Sequence, residues 1–374
     1  FAVCWLRTAR LSVRVARSEG FEVLQACNPP DTYWLLGLLW KSLAGKAFVF
    51  DQHDLCPEVY EARFARRGVL HRGLLALEQA TYRVADQVIA PNPGYAEVAM
   101  TRGHVKPARV SIVMSTPDAR RMVRGEVEPA LRRGRRHLAC YVGVMGPQDG
   151  VDRLVEAIHH YVNVLGRTDC HFGLIGFGDS LAALRERVVA LGLGKWVTFT
   201  GRVGHDELGR WLSTASVGFT PDPPNEFNHR STMNKTLEYM AHGVPVIATD
   251  LRETRRCAGD AARYTGDGEP AEVARALAEL LDDPARRRQM GRVGRVRIER
   301  ELAWETQAAS YLSVIDRALS VRGRPRAGSP APQRILPNQR RESPMPVTIG
   351  AHTGRPGEHD AMSDPGSTAT RGQS

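Results

Sequence analysis

The stretch from residue 231 to residue 250 constrains the fold of this chain more than any other. It reads Ser-Thr-Met-Asn-Lys-Thr-Leu-Glu-Tyr-Met-Ala-His-Gly-Val-Pro-Val-Ile-Ala-Thr-Asp. The pattern predicts a helix that begins after a polar loop and stops at Gly243, followed at once by a buried strand over residues 244–249. Helices that alternate with buried strands are typical of a parallel α/β sheet.

Three polar side chains that can bind a ligand lie at the start of this helix, Asn234, Lys235 and Glu238. Free N–H groups at a helix N-terminus favour phosphate, and Lys235 adds a positive charge. Glu238 follows about one turn later on the same face and can accept hydrogen bonds from sugar hydroxyls. This helix end would hold the diphosphate and ribose of a nucleotide, although a capped helix with a solvated Lys–Glu pair has the same pattern.

The sequence motif Asn-Lys-x-x-Glu-Tyr-Met-Ala-x-Gly-x-Pro-Val resembles the donor-binding segment of family 4 glycosyltransferases. It is most similar to the bacterial subgroup that assembles cell-surface polysaccharides, and the resemblance extends over most of the chain, with more specific motifs in the second half. The resemblance implies an α/β architecture of the GT-B type, in which two Rossmann-like parallel-sheet domains face a cleft. It also implies retaining sugar transfer from a nucleotide-diphosphate sugar.

Length and composition agree with two domains, since the chain has 374 residues and a hydrophobic content of 42%. No apolar run approaches the ~18 residues of a membrane-spanning helix. The cysteines are scattered without a Cys-x-x-Cys pair, so we expect buried free thiols rather than disulfides or zinc ligands. No histidine–cysteine spacing predicts a metal site, and the nucleotide sugar is a co-substrate, so no cofactor is expected.

The net charge of +10 favours anionic partners, including nucleotide sugars and acidic lipid headgroups. No recognition motif with stacking aromatic side chains supports nucleic-acid binding. In the resembled subgroup the acceptor is a glycan or a lipid-linked intermediate at the inner face of the membrane. We therefore expect a cytoplasmic protein with peripheral contact to an anionic membrane.

The order of elements predicts four segments. Residues 1–118 form an acceptor-side Rossmann-like domain, and residues 119–136 form a charged linker. Residues 137–319 form the nucleotide-sugar-binding domain, whose closing helix crosses back to the first domain in the resembled fold. Residues 320–374 are rich in Pro, Gly, Ser and Arg without a hydrophobic period, which predicts disorder.

The first domain is expected to be incomplete. Residues 1–19 read as a basic amphipathic helix, where a Rossmann domain normally opens with a strand and a glycine-rich turn. An N-terminally truncated sequence would explain this, and the activity of such a chain stays open. The predicted strands cover residues 21–27, 47–51, 87–90 and 109–114 in the first series, and 138–144, 171–176, 197–201, 216–220, 244–248 and 262–264 in the second.

Two glycine-rich turns follow strands of the second series. Gly143 and Gly146 belong to the first turn, and Gly176 and Gly178 belong to the second. Glycines allow phosphate to approach backbone N–H groups, but tight strand-to-helix turns need the same residues. The resemblance places both turns beside the donor nucleotide, and it places Arg202 in the segment that brackets the base.

The chain departs from the family's pattern at two places. Val144 and Asp149 stand where the first turn often has Arg and Lys for the diphosphate, which leaves more of this work to Lys235. Many family members carry a pair of glutamates, of which Glu238 matches the second, whereas Arg230 stands at the first. Arg230 would neutralise the departing diphosphate or select a charged or modified sugar.

The resemblance completes the predicted donor-binding set with Met233, Asn234 and Thr236. Lys235 and Glu238 are the predicted catalytic residues of the second domain. His53 is the predicted catalytic residue of the first, because it follows a strand end, where ligands lie in such folds. A histidine there would hydrogen-bond a sugar or orient the acceptor. A structural histidine has the same signal, but the resembled family has a functional one at this place.

Three alternative functions remain open from the sequence. A nucleotide-sugar epimerase of the same architecture would need acidic catalytic residues in the cleft. A catalytically inactive nucleotide-sugar-binding fragment would explain the missing opening strand. A basic interaction module would lose its lipid or nucleic-acid partner at moderate salt. The sequence does not identify the sugar, the acceptor or the oligomeric state, and UDP is the nucleotide that the resemblance implies.

Overall fold

The computed structural model describes residues 2–321, and its first sheet has four parallel strands in the order β1-β2-β3-β4. The predicted disordered tail lies almost wholly outside the described residues. Strand pairing is parallel throughout this sheet. The strands β1 to β4 span Val23–Cys27, Ala47–Asp51, Gln87–Ala90 and Val110–Ile112.

The second sheet has six parallel strands in the order β10-β9-β8-β5-β6-β7. Its long central strands are mostly apolar and buried along most of their length, as expected where helices cover both faces of the sheet. The strands β5 to β10 span His137–Val144, Cys170–Phe177, Val197–Gly201, Val217–Thr220, Val246–Ala248 and Ala262–Tyr264. The two sheets fall within the two predicted domains, and the exact domain boundaries stay a prediction.

The helices alternate with these strands, as the sequence pattern predicted. Within residues 2–321, none of them combines the length and the apolar composition that crossing a bilayer requires. The helices α1 to α14 span Ala2–Ser18, Trp34–Ala44, Cys56–Phe64, Val69–Val84, Pro93–Thr101, Val151–His159, Leu181–Ala190, His205–Thr214, Glu226–Arg230, Asn234–Ala241, Arg252–Ala258, Pro270–Asp282, Pro284–Arg297 and Trp304–Ser320.

The expectation of buried thiols holds for only some of the cysteines. Cys140, Cys170 and Cys257 are buried and all six cysteines are free, but Cys4 and Cys27 are exposed. Cys4 lies on the solvent side of α1, and Cys27 lies at the carboxyl end of the edge strand β1. The apolar sequence around Cys27 predicted a buried strand, but β1 is the edge strand of its sheet, which leaves Cys27 exposed.

The last helix, α14, packs on the first sheet although it follows the second sheet in the chain. Val314 and Ala318 join the buried cluster beneath β2 and β3. The Tyr311 hydroxyl donates a hydrogen bond of 2.7 Å to Gln25 Oε1 on β1. Met114, which follows β4, donates its backbone N–H to Gln307 Oε1 at 3.1 Å. The closing helix that the resemblance implied is therefore present.

Candidate active site in the cleft between the sheets

A cavity of about 540 Å³ lies where the carboxyl ends of the two sheets face each other. Ligands bind at this edge in open α/β sheets because loops and helix N-termini converge there. The cavity brings His53 of the first sheet to the same space as the start of α10 in the second. Its lining includes His53, Asp54, Val59, Tyr95, Gly143, Gln148, Asp149, Asp222, Met233, Asn234, Lys235 and Glu238.

Lys235 points into this cavity and forms a buried ion pair with Asp222. Its Nζ lies 2.9 Å and 3.0 Å from the two carboxylate oxygens, and the two side chains are 10% and 3% exposed. The ammonium also lies 5.1 Å from the centre of the Tyr141 ring. Asp222 was not predicted from the sequence, although its position just after strand β8 was a signal that could have found it.

Glu238 lies one turn after Lys235 on α10, half-buried at the cavity wall. Within residues 2–321, its carboxylate forms no hydrogen bond or ion pair, and burial raises its pKa while Lys235 opposes the rise. Its backbone carbonyl caps the helix by accepting from His242 Nδ1 at 2.9 Å. The carboxylate is thus free to accept hydrogen bonds from a ligand in the cavity.

The cavity lining is more acidic than the sequence suggested. Asp54, Asp149 and Asp222 line it together with Glu238, whereas Lys235 is the one lysine among its lining residues. Burial raises the pKa of Asp54 and of Asp149. Asp149 Oδ2 also accepts a hydrogen bond of 2.8 Å from the Gly146 N–H. The arrangement accommodates a cation, or an anion that interacts with Lys235 and the helix N-terminus.

His53 reaches the cavity from the loop after β2 and is 45% exposed. Its Nε2 lies 3.4 Å from Asp51 Oδ2, and this contact raises the pKa of His53 while burial opposes it. The His53 backbone N–H donates to Asn28 Oδ1 at 2.7 Å, which fixes the loop. The predicted position of this histidine at the cleft agrees with the structure.

Of the four predicted donor-site glycines, Gly143 lines the cavity, and the other three lie outside its lining. A Cβ atom on Gly176 would lie 1.8 Å from the Gly143 carbonyl oxygen, and one on Gly178 would lie 2.5 Å from the Met145 carbonyl oxygen. The N–H of Gly146 is already bonded to Asp149. Close backbone packing explains Gly176 and Gly178, and their donor-binding role stays a prediction.

Three other predicted donor-site residues also lie outside the cavity lining. Arg202 is exposed and stacks on Phe177 with 4.0 Å between its guanidinium carbon and the ring centre. Arg230 lies 3.4 Å from Glu226 in an ion pair on the short helix α9. Thr236 is 1% exposed because it lies on the core side of α10, where its hydroxyl contacts Thr220.

The loop before α10 is held against the first sheet. Asn92 Nδ2 donates to the Arg230 carbonyl oxygen at 2.7 Å and to Thr232 Oγ1 at 3.0 Å. The Tyr95 hydroxyl lies 3.4 Å from Ser231 Oγ. These contacts join residues more than 130 positions apart, so no spacing in the sequence revealed them. They hold the two walls of the cleft together on one side.

Two facing parallel-sheet units with a cleft at their carboxyl ends define the GT-B class of glycosyltransferases. Sucrose-phosphate synthase from Thermosynechococcus elongatus has this fold and superimposes with a TM-score of 0.68 at 20% identity, covering 84% of this chain and 78% of that one. At this identity the likeness shows the fold alone. Residues 136–283 match the family of glycosyl transferases group 1. The fold is therefore of the GT-B type, and the second sheet carries the likeness to glycosyl transferases group 1.

Two relatives of known activity support this assignment. The MMP alpha-(1->4)-mannosyltransferase of Mycolicibacterium hassiacum is 24% identical over 325 residues, which cover 84% of this chain and 74% of the relative. The GDP-mannose-dependent alpha-(1-6)-phosphatidylinositol monomannoside mannosyltransferase of Mycobacterium tuberculosis is 32% identical over 193 residues. That match covers 50% of this chain and 49% of the relative, so it spans about half the length of both. The predicted resemblance to glycosyltransferases and the predicted enzyme class are confirmed.

Proposed function

We propose that the chain transfers a sugar, with retention of configuration, from a nucleotide-diphosphate sugar to a glycan or lipid-linked acceptor in the synthesis of cell-envelope polysaccharide. The main support is that Lys235 and Glu238 of one sheet and His53 of the other share one cavity. Its volume of about 540 Å³ suits a small-molecule ligand.

The donor is proposed to lie against the start of α10. The first N–H groups of a helix have no partner within it and favour phosphate, so the diphosphate belongs beside Met233 and Asn234. The free Glu238 carboxylate would accept hydrogen bonds from the ribose hydroxyls. UDP is the nucleotide that the sequence resemblance implied, and one relative is GDP-mannose-dependent by name, so both nucleotides are candidates.

Departure of the diphosphate requires positive charge in the cleft. Lys235 has three donor hydrogens, and its two contacts with Asp222 leave one for a phosphate oxygen. The Asp222 carboxylate holds the ammonium in place, so little reorganisation is needed when charge develops on the leaving group. The proposal needs no metal ion for this step, because the helix N-terminus and Lys235 supply the stabilisation.

The acceptor is proposed to approach from the first sheet, beside His53. The face of α1 supports a peripheral position at the inner face of the cell membrane, because it combines arginines with exposed apolar side chains. Val3, Leu6 and Leu11 are each more than half exposed. Such a helix suits the interface of an anionic membrane.

The acidic lining favours a second candidate for the acceptor, a sugar or cyclitol that carries amino groups. Asp54 and Asp149 would attract the ammonium group of such an acceptor, and they would give a neutral glycan no comparable attraction. The same carboxylates would repel the negative phosphate of a lipid-linked acceptor. Comparing transfer to a neutral glycan, a lipid-phosphate-linked sugar and an aminocyclitol at two salt concentrations separates these acceptor classes.

The first test is calorimetric titration of the purified chain with UDP, GDP and ADP, repeated with Lys235→Ala. We expect micromolar binding of one nucleotide that weakens in the variant. A folded chain that binds none of the three contradicts the donor site. Product analysis by NMR then distinguishes the reactions, since a transferase makes a new glycosidic bond with retained configuration, whereas an epimerase acts without an acceptor.

A further inference from the structure

Cys27, Asp51 and His53 bring three kinds of metal ligand to one point at the edge of the cleft. A thiol sulfur, a carboxylate oxygen and an imidazole nitrogen all lie within 4.8 Å of one another. Asp51 Oδ2 is 3.7 Å from Cys27 Sγ and 3.4 Å from His53 Nε2. The three residues come from two strands and a loop, so no spacing in the sequence revealed the cluster.

The sheet fixes the positions of these ligands. Cys27 ends β1 and lies directly opposite Asp51, the last residue of the parallel neighbour β2. His53 follows two residues later, and its backbone N–H is held by Asn28 Oδ1 at 2.7 Å. Two of the three side chains therefore lie on paired strands rather than on a free loop. Sites built on strands hold their geometry better than sites built on loops.

The distances agree with a tetrahedral zinc ion. Zinc bonds of about 2.3 Å to sulfur and about 2.0 Å to nitrogen or oxygen place neighbouring ligand atoms roughly 3.3 to 3.6 Å apart. Two of the three separations are already close to this, and a small rotation of the half-exposed His53 ring closes the third. We propose that Cys27, Asp51 and His53 bind a zinc ion, with the fourth position open to solvent.

The donor set selects zinc over the common hard cations. Mg²⁺ and Ca²⁺ prefer oxygen ligands only, whereas a thiolate, an imidazole and a carboxylate are a typical zinc combination. Cys27 is exposed, which gives an ion a path from solvent. Zinc would also convert the Cys27 thiol to a thiolate on binding.

A second layer of hydrogen bonds orients the central carboxylate. Gln25 Nε2 donates to Asp51 Oδ2 at 2.8 Å, and Gln25 Oε1 accepts from the Tyr311 hydroxyl at 2.7 Å. Groups that orient a ligand in this way typically change metal affinity by about 10- to 100-fold. The two hydrogen bonds that connect Tyr311 on α14 to Asp51 through Gln25 thus support the proposed site.

Occupation of the site has a consequence for the cleft. A zinc ion on His53 Nε2 would remove that nitrogen from any role with an acceptor in the adjacent cavity. Zinc would then lower transfer without displacing the donor from α10. This consequence rests on the proposed function, whereas the zinc site itself does not, and the test of the site uses no activity measurement.

The site is tested by titrating the reduced, tag-free, metal-free full chain with Co²⁺, which reports thiolate ligation by a charge-transfer band, and then displacing it with Zn²⁺. We expect one equivalent of Co²⁺ with this band. Cys27→Ser should abolish the band and lower zinc affinity at least about tenfold. Cys4→Ser, a change of another exposed cysteine, should retain both. Gln25→Leu should weaken zinc binding about tenfold and keep the band.

Two results would overturn the proposal. One is a stoichiometric cobalt complex without thiolate absorption, since that would place the ion elsewhere. The other is a Cys27→Ser variant that binds zinc as the parent chain does. Circular dichroism and nucleotide titration of Cys27→Ser verify its fold, because Cys27 is not among the residues that line the donor cavity. If the parent chain binds no nucleotide, the proposed function is contradicted, and the zinc result still stands.

Discussion

Lys235 and Asp222 form a buried pair in which one ammonium nitrogen contacts both oxygens of one carboxylate, at 2.9 Å and 3.0 Å. The pair joins the start of α10 to the loop after β8. It therefore connects the stability of the second sheet with the charge that the cleft offers to a ligand. A substitution at either residue changes both properties, so experiments on the donor site need to measure both.

Lys235→Ala should lower the free energy of unfolding by about 3 to 5 kcal/mol, because it leaves the carboxylate of Asp222 buried without its partner. Urea unfolding followed by circular dichroism measures this loss. The double variant Lys235→Ala with Asp222→Ala should be more stable than Lys235→Ala alone. Equal stabilities of the single and double variants would show that the unpaired Asp222 carboxylate costs no stability.

Glu238→Gln should weaken nucleotide binding about 10- to 100-fold while the fold stays intact, since a charged acceptor contributes about 1.5 to 3 kcal/mol per ligand hydrogen bond. Calorimetric titration measures the change. Glu226→Gln is the matched control, because Glu226 is an exposed glutamate on α9 outside the cavity lining. Unchanged affinity in Glu238→Gln would contradict the assignment of the ribose-binding carboxylate.

Gly176→Ala should destabilise the second sheet by several kcal/mol or prevent folding, since its Cβ would lie 1.8 Å from the Gly143 carbonyl oxygen and its φ is +147°. Gly73→Ala, inside helix α4 with open space around the added methyl group, should instead stabilise by up to about 1 kcal/mol. Thermal unfolding of both variants provides the comparison. Similar melting temperatures would show that β5 and β6 do not approach as closely as described.

Asn92→Asp should weaken nucleotide binding about tenfold, because aspartate keeps the helix cap but cannot donate to Arg230 and Thr232. The loop that leads into α10 would lose its attachment to the first sheet. Asn225→Asp is the control, since Asn225 caps α9 in the same way without such a contact across the cleft. Equal affinities for the two variants would mean that the attachment does not position the donor site.

Stability should fall as the pH falls from about 6.5 towards about 4, because two buried histidines stay neutral in the folded chain. Burial, reinforced by nearby arginines, lowers the pKa of His137 and of His171 to about 4. The unfolded chain binds protons in this range and the folded chain does not, so each histidine contributes a slope of up to about 1.4 kcal/mol per pH unit.

Urea unfolding at pH 7 and pH 5 tests this effect. The double variant His137→Asn with His171→Asn should lose the part of the pH dependence that these histidines cause. The remaining dependence then belongs to the carboxyl groups. An unchanged slope in the double variant would contradict the assignment to these two side chains.

The parts of the fold that depend on local patterns followed from the sequence, and the parts that depend on distant partners did not. The helix that stops at Gly243 and the strand after it carry their own start and stop signals. Asp222 is different, because a single aspartate after a strand gives no sign that Lys235 will pair with it. Thr236 was predicted to bind the donor because its neighbours in the sequence were, but the turn of the helix directs its side chain to the core.

The packing of α14 on the first sheet has a consequence for synthesis on the ribosome. Strands β1 to β4 are complete when residue 112 has emerged, yet one face of their sheet stays open to water until Val314 and Ala318 arrive. About 200 residues, including the whole second sheet, are made in between. The nascent first sheet therefore exposes apolar surface while the second sheet is made, and a chaperone that binds β-strand surfaces would act on it during that interval.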